Sequence, residues 1–154
     1  MTIKSSPAVL FLLSAVLAGC ASQPSPVKYL NSGKVLPTNL PFSEAVVVGD
    51  TVFFSGQIGN QPGTVKVVSG GIAAETKQVM ENIKISAEAN GLTMADLVKC
   101  TVMLADMSEW SAFNEVYRTY FTAKYPARSA FGTSGLAFNA RVEVECIGVM
   151  PRAK

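Results

Sequence analysis

The chain of 154 residues contains no histidine. That absence removes the Ser-His-Asp and Cys-His constellations of nucleophilic catalysis, and it leaves no imidazole to ligate a metal or act as a base near neutral pH. Cysteine is scarce too. Cys20, Cys100 and Cys146 are far apart and lack the paired spacing of a zinc site. Charge is equally thin: 13 basic and 11 acidic residues give a formal net charge of +2 and are scattered without runs, so no basic stripe invites nucleic acid. Neither a metal nor a nucleic-acid partner is expected.

What is present begins with a leader. Lys4 gives a short positive start, and residues 8–17 form an apolar core of about ten residues, too short to span a bilayer. The core ends in Leu17-Ala18-Gly19-Cys20, which resembles the lipobox of bacterial lipoproteins, in which the Cys is acylated and becomes the new N-terminus. Several acyl chains make a stable anchor. Ala21, with no Asp at that place, directs the expectation to the periplasmic face of the outer membrane. The alternative is an ordinary cleaved signal peptide with an incidental Cys. Residues 1–19 are thus read as a lipoprotein signal peptide, 20–27 as lipidated Cys and Ser/Pro tether, and 28–154 as one domain with enough length for a single core. The 49% hydrophobic content owes part of its size to the leader.

Within the domain, β-branched and aromatic runs at 46–48 and 51–55 flank Gly49-Asp50, a two-residue hairpin turn. Short strands are expected near 27–30 and around 65–68. Ile72, Val79, Met80, Ile83 and Ala87 recur at helical spacing, and Gly91 is placed to close that helix in a left-handed conformation. Residues 97–104 read as a strand. Asp106 and Glu109 then resemble a capping box opening a second helix, whose buried stripe is Trp110, Phe113, Val116, Tyr117, Tyr120 and Phe121. Pro126 ends this helix. Residues 127–131 begin a strand, 132–139 form a loop and 140–149 the last strand. Strands, helix, strand, helix and two strands predict an α+β domain with two helices on one face of a mixed sheet. Cys100 and Cys146 sit in apolar alternating runs, and the favoured reading is two buried small hydrophobes. An oxidising compartment leaves a disulfide open, and its pairing does not follow from sequence.

The candidate chemistry gathers near the end of the chain. Arg128, in Tyr125-Pro126-Ala127-Arg128-Ser129, stands where the chain turns from a helix into apolar sequence. Its guanidinium is a rigid fork matched to a carboxylate. In Val142-Glu143-Val144-Glu145-Cys146 the two carboxylates fall on one face of a strand and the apolar residues on the other. On these residues alone a surface ion pair and solvated carboxylates are the favoured reading, since structural ion pairs outnumber catalytic ones. Asn114 lies within the second helix, where Asn is a poor former, and is kept either for a structural hydrogen bond or for a site.

Taken together, Phe42-Ser43-Glu44-Ala45-Val46, Ser55-Gly56-Gln57-Ile58, Gln78 with Asn82, Ala89-Asn90-Gly91-Leu92, Asp106, Asn114-Glu115-Val116-Tyr117, Phe121 with 125–129, and 142–145 resemble the reactive intermediate deaminase family, also called RidA or YjgF-like. The resemblance implies a chorismate-mutase-like fold, a homotrimer with active sites in the clefts between subunits, and cofactor-free hydrolysis of reactive enamines and imines. It assigns the carboxylate of a 2-imino acid to Arg128 and the handling of the attacking water to Glu143. Ser55, Asn114, Phe42 and backbone near Ala130 would complete the substrate site, although turn chemistry explains Ser55 equally well. Phe42 stands where many members have Tyr, Ala130 where many have Cys, and Gly132 and Ala137 also depart from the usual loop. The expected function is deamination of 2-imino acids to 2-oxo acids and ammonia. The alternative is a non-enzymatic envelope module that binds small carboxylates in the same clefts.

Overall fold

A computed structural model describes residues 26–151. The leader, Cys20 and most of the tether, for which a cleaved signal and a lipid anchor are expected, lie outside the described residues. The elements in chain order are β1 (Lys28–Leu30), β2 (Ala45–Val48), β3 (Thr51–Phe54), β4 (Gln57–Ile58), α1 (Gly71–Ala89), β5 (Leu97–Leu104), α2 (Trp110–Tyr117), β6 (Ala127–Gly132) and β7 (Val142–Val149). Seven strands form one sheet with the order β1-β2-β3-β7-β5-β6, and β4 also pairs with β7. Only the β5–β6 pair is parallel, so the sheet is mixed, as the element order predicts.

Alternation decides the layers. Val52, Phe54, Cys100, Val102, Leu104, Val142, Val144 and Cys146 are buried on the face that carries the two helices. From α1 they meet Ile72, Val79, Met80, Ile83 and Ala87, the residues whose spacing marks this helix in the sequence. Gly91 closes α1 at φ 80°, where a side chain would be strained. The Gly49-Asp50 turn joins β2 to β3 with Val48 opposite Thr51. The other face of the sheet carries Phe53, Phe131, Val48 and Val149, all exposed.

Several expectations are corrected. Residues 65–68 form no strand, and only an isolated bridge joins Asn60 to Val67. Asp106 does accept from the Ser108 N–H at 2.8 Å, but Glu109 turns away from the cap to clamp Arg141, so the box is half formed. A full capping box occurs instead at Thr93 and Asp96. Helical structure after α2 stops in a short turn at Arg118–Tyr120, well before Pro126. The last strand starts at Val142 rather than at residue 140, because Ala140 and Arg141 close the preceding turn.

Cys100 and Cys146 are directly opposite on β5 and β7, with Cα atoms 4.1 Å apart, and they form a disulfide. Both are buried as expected, but as a covalent pair rather than as two separate hydrophobes. The bond links residues 46 apart in sequence. A cross-link closing a loop of that length is worth about 3–4 kcal/mol by the entropy it removes from the unfolded chain. Reduction, or a Cys100→Ala/Cys146→Ala double variant, should therefore lower the unfolding free energy by that order. Denaturant unfolding with and without dithiothreitol checks it, and unchanged midpoints would show the cross-link to be energetically idle.

Candidate active site

Arg128 leaves the edge strand β6 in register with Cys100, hence on the helix side of the sheet. Its guanidinium lies 4.5 Å from the Tyr117 ring centre, 4.8 Å from that of Trp110 and 5.8 Å from that of Phe113. These rings belong to an aromatic row, Trp110, Phe113, Tyr117, Phe121 and Tyr125, with successive centroids 5.0–5.9 Å apart. Electron-rich faces hold a cation while leaving its N–H groups for another partner. The two ion pairs found among the described residues, Glu115 with Arg118 and Glu109 with Arg141, leave Arg128 out. The surface ion pair considered from sequence is not what the fold makes of this side chain. Beside it opens a cavity of about 510 Å³ lined by Trp110, Asn114, Tyr117, Arg118, Tyr125, Pro126 and Arg128. Tyr117 is buried and its hydroxyl has no hydrogen-bond partner. Burial pushes that hydroxyl's pKa up to about 12, with the Arg128 charge opposing the shift.

Glu143 belongs to a second cavity, of about 250 Å³, that it shares with Leu36, Leu40, Phe42, Gly56, Ile58, Asn60, Val65, Ala137 and Phe138. A local irregularity brings its carboxylate against bare backbone. Phe53 pairs with Ile147 and Gln57 with Val144, so four steps on one strand face three on the other, and the extra residue falls at 54–56. A Cβ on Gly56 would overlap Oε1 of Glu143 and stand 2.9 Å from its Cδ. A larger residue at this position would force the Glu143 carboxylate to move. Burial raises the Glu143 carboxyl above its ordinary range, and the like charge of Glu145, two residues along the same face, raises it further.

The two candidate catalytic residues do not meet within one chain. Glu143 is in register with Met103 of β5 and Arg128 with Cys100, three positions apart, and an odd separation puts them on opposite faces of the sheet. Asn114 and Ala130 accompany Arg128, the first lining its cavity and the second two residues along β6 on the same face. Phe42, half exposed, accompanies Glu143. The Ser55 hydroxyl donates to the Ser43 carbonyl at 2.7 Å and its N–H to the Glu44 carbonyl at 3.0 Å, holding the turn that presents Gly56. Gln78 and Asn82 are structural: Asn82 accepts from Gln78 and donates to the Ile58 and Asn60 carbonyls, tying α1 to the end of β4 and the loop after it.

Sequence reasoning missed the ring bed of Arg128, because aromatics at helical spacing look the same whether they fill a core or also carry a cation. It missed Gly56 as a spacer and the loop residues Leu36, Leu40 and Phe138, which no periodicity connects to Glu143. Among the described residues no group of three or more His, Cys, Asp or Glu could hold a metal.

A family model described as endoribonuclease L-PSP matches residues 33–150. The chain belongs to this family, the RidA/YjgF family. The human 2-iminobutanoate/2-iminopropanoate deaminase is 39% identical over 109 residues, spanning 71% of this chain and 80% of that relative. Among solved structures, RidA from a Psychrobacter species superposes with a TM-score of 0.75 at 36% identity, covering 80% of this chain and 99% of that one. E. coli TdcF, solved with bound serine, does so with a TM-score of 0.75 at 30% identity over 80% of this chain and 99% of that one. The RidA-type fold expected from the resemblance is thus the observed one.

An orphaned buried hydroxyl predicts the outcome of Tyr117→Phe. Removing a polar atom that has no partner relieves a desolvation cost, so stability should be kept or rise by up to about 1 kcal/mol in denaturant unfolding. A loss beyond about 1 kcal/mol would show that the hydroxyl has found a donor or acceptor.

Proposed function

We propose that this RidA/YjgF-family protein hydrolyses 2-imino acids to 2-oxo acids and ammonia, in clefts between copies of the chain. The observation that carries the reading is Arg128: a guanidinium laid on aromatic rings, with no carboxylate partner among the described residues, bordering a cavity with room for a small acid. Relatives of about 40% identity named imine deaminases point the same way. The substrate carboxylate would take the fork, which places the neighbouring C=N carbon at a fixed distance. Water adds to that carbon, Glu143 accepts its proton and returns it to nitrogen, and the C–N bond then breaks as the remaining hydroxyl proton passes through Glu143 to nitrogen, releasing ammonia and leaving a carbonyl. Only water is consumed, which suits a chain without histidine.

Because Arg128 and Glu143 lie on opposite faces, a substrate touching both takes Arg128 from one copy and Glu143 from the next. The exposed apolar face holding Phe53, Phe131, Val48 and Val149 offers the surface such copies would cover, in keeping with the expected trimer. For localisation we propose a lipid anchor at Cys20 on the periplasmic face of the outer membrane. The Cys100–Cys146 disulfide supports it, since such bonds persist in exported proteins.

The full chain in mild detergent, supplied with imino acids made in situ by an amino-acid oxidase, tests the reaction. Wild type should speed imine loss above the spontaneous rate, and Arg128→Ala and Glu143→Ala should each lower that gain by about a hundredfold. A folded wild type that leaves the spontaneous rate unchanged, while binding 2-oxo acids, would move the protein to a carboxylate-binding module.

The acid limb of the pH profile carries a second prediction. Only ionised Glu143 accepts a proton, so the rate should fall as pH drops through its raised pKa. Glu145→Gln removes the like charge and should shift that limb to lower pH, while burial keeps it above the ordinary value of 4.5. A limb that does not move with Glu145→Gln would assign it to another group.

A further inference from the structure

We infer that the substrate is a 2-imino acid with a large apolar side chain, branched aliphatic or aromatic, and that Phe138 is a residue selecting it. The inference rests on the deaminase reading and on the pairing of half-sites from two copies. Three substituents surround the reacting carbon: the carboxylate, the imine nitrogen and the side chain. With the carboxylate on Arg128 and the water beside Glu143, the cavity that holds Glu143 is the apolar space within reach of the side chain.

That cavity offers apolar surface almost throughout. Leu36, Leu40, Phe42, Ile58, Val65 and Phe138 line it. Its second polar side chain, Asn60, is already committed: Nδ2 donates to the Thr64 carbonyl at 2.9 Å and to that of Val35 at 3.3 Å, and Oδ1 accepts from Asn82 at 3.1 Å. A charged or hydroxylated substituent would lose its water and find no free partner except a carboxylate. Size agrees. A dry cavity of about 150 Å³ accepts benzene, and this one measures about 250 Å³. The methyl and ethyl groups implied by the relatives' names would leave most of it empty.

Phe138 is where the chain departs from ordinary backbone to form this wall. It sits at φ 56°, and the next residue, Asn139, also at φ 56°, continues the left-handed turn. Asn tolerates that region, whereas a bulky aromatic seldom does. The result is a ring 60% exposed at the cavity's edge, packed into no core. A ring so placed gains burial when something apolar fills the cavity.

The test compares imines made in situ from alanine, leucine and phenylalanine with the full chain. It also titrates pyruvate, 4-methyl-2-oxopentanoate and phenylpyruvate, read by the fluorescence of Trp110, the chain's single Trp, which stacks on Arg128. Wild type should favour the leucine- or phenylalanine-derived imine over the alanine-derived one by at least about tenfold in kcat/KM, since each buried methylene adds about fourfold. Phe138→Ala should cut that ratio by about fivefold or more, and Phe138→Leu should restore part of it. Turnover of all three imines at equal efficiency, or a ratio indifferent to Phe138→Ala in a folded protein, overturns the inference while leaving the deaminase reading in place. Absence of turnover with the same selectivity among 2-oxo acids, lost in Phe138→Ala, keeps the side-chain class and removes the deaminase. Absence of both turnover and selectivity removes both.

Discussion

Strand β7 is hydrogen-bonded along its length to β3, β4 and β5, and its two-residue period constrains everything that happens at the site. Val142, Val144 and Cys146 must face the helices, because they fill the core between β5 and α1. Glu143 and Glu145 are thereby forced onto the opposite face. A one-residue slip would bury two carboxylates and expose three apolar residues, so the register is fixed by the core and the disulfide between Cys100 and Cys146 locks it. The parallel pairing of β6 with β5, Arg128 opposite Cys100, puts Arg128 on the helix face. A fold this firmly alternated keeps the two groups on opposite faces of the sheet in one copy, which is why the proposed site draws them from two.

Within each half, packing rather than hydrogen bonding sets the reactive group. Arg128 lies on rings that are themselves core: Phe113, Tyr117 and Phe121 are buried, and Trp110 packs against them. Glu143 lies on the bare backbone of Gly56, which the bulge after β3 pushes toward it. In both cases the donors or acceptors that would grip a ligand are spared from internal use. The hydrolysis proposed for this chain would ask for little more than orientation and one group of suitable basicity, and burial raises the Glu143 carboxyl in that direction.

Much of this was legible in the residues. The hairpin at Gly49-Asp50, the helix closed by Gly91 and the strand at 97–104 rest on local rules, turn chemistry and periodicity, and the structure follows them. The element order carried the mixed sheet with its two helices. What stayed hidden depends on contacts distant in sequence. The partner of Cys100 is decided by the β5–β7 register. Glu109 abandons its cap because Arg141, 32 residues on, brings a two-pronged donor to it. The loops carrying Phe42 and Phe138 reach Glu143 by tertiary folding, and a turn residue such as Phe138 has no period to betray it.

The strained pair Phe138–Asn139 shows how the fold spends its stability. For Phe138 the left-handed conformation costs on the order of 1–3 kcal/mol, a noticeable fraction of the roughly 5–15 kcal/mol a domain of this kind possesses, whereas Asn139 tolerates it. Such a turn persists only if its ends cannot relax. At one end β6 is held by the β5 ladder from Ala127 to Gly132. At the other, Arg141 donates its backbone N–H to the buried Glu75 carboxylate at 2.7 Å, accepts at its carbonyl from the Ala105 N–H at 2.9 Å, and forks its guanidinium onto Glu109. The clamp sits two residues after Asn139, close enough to oppose unwinding of the turn. Strain confined between a parallel edge strand and a buried carboxylate is strain the fold opposes from both ends, and its visible product is the placement of one aromatic ring at the cavity of Glu143.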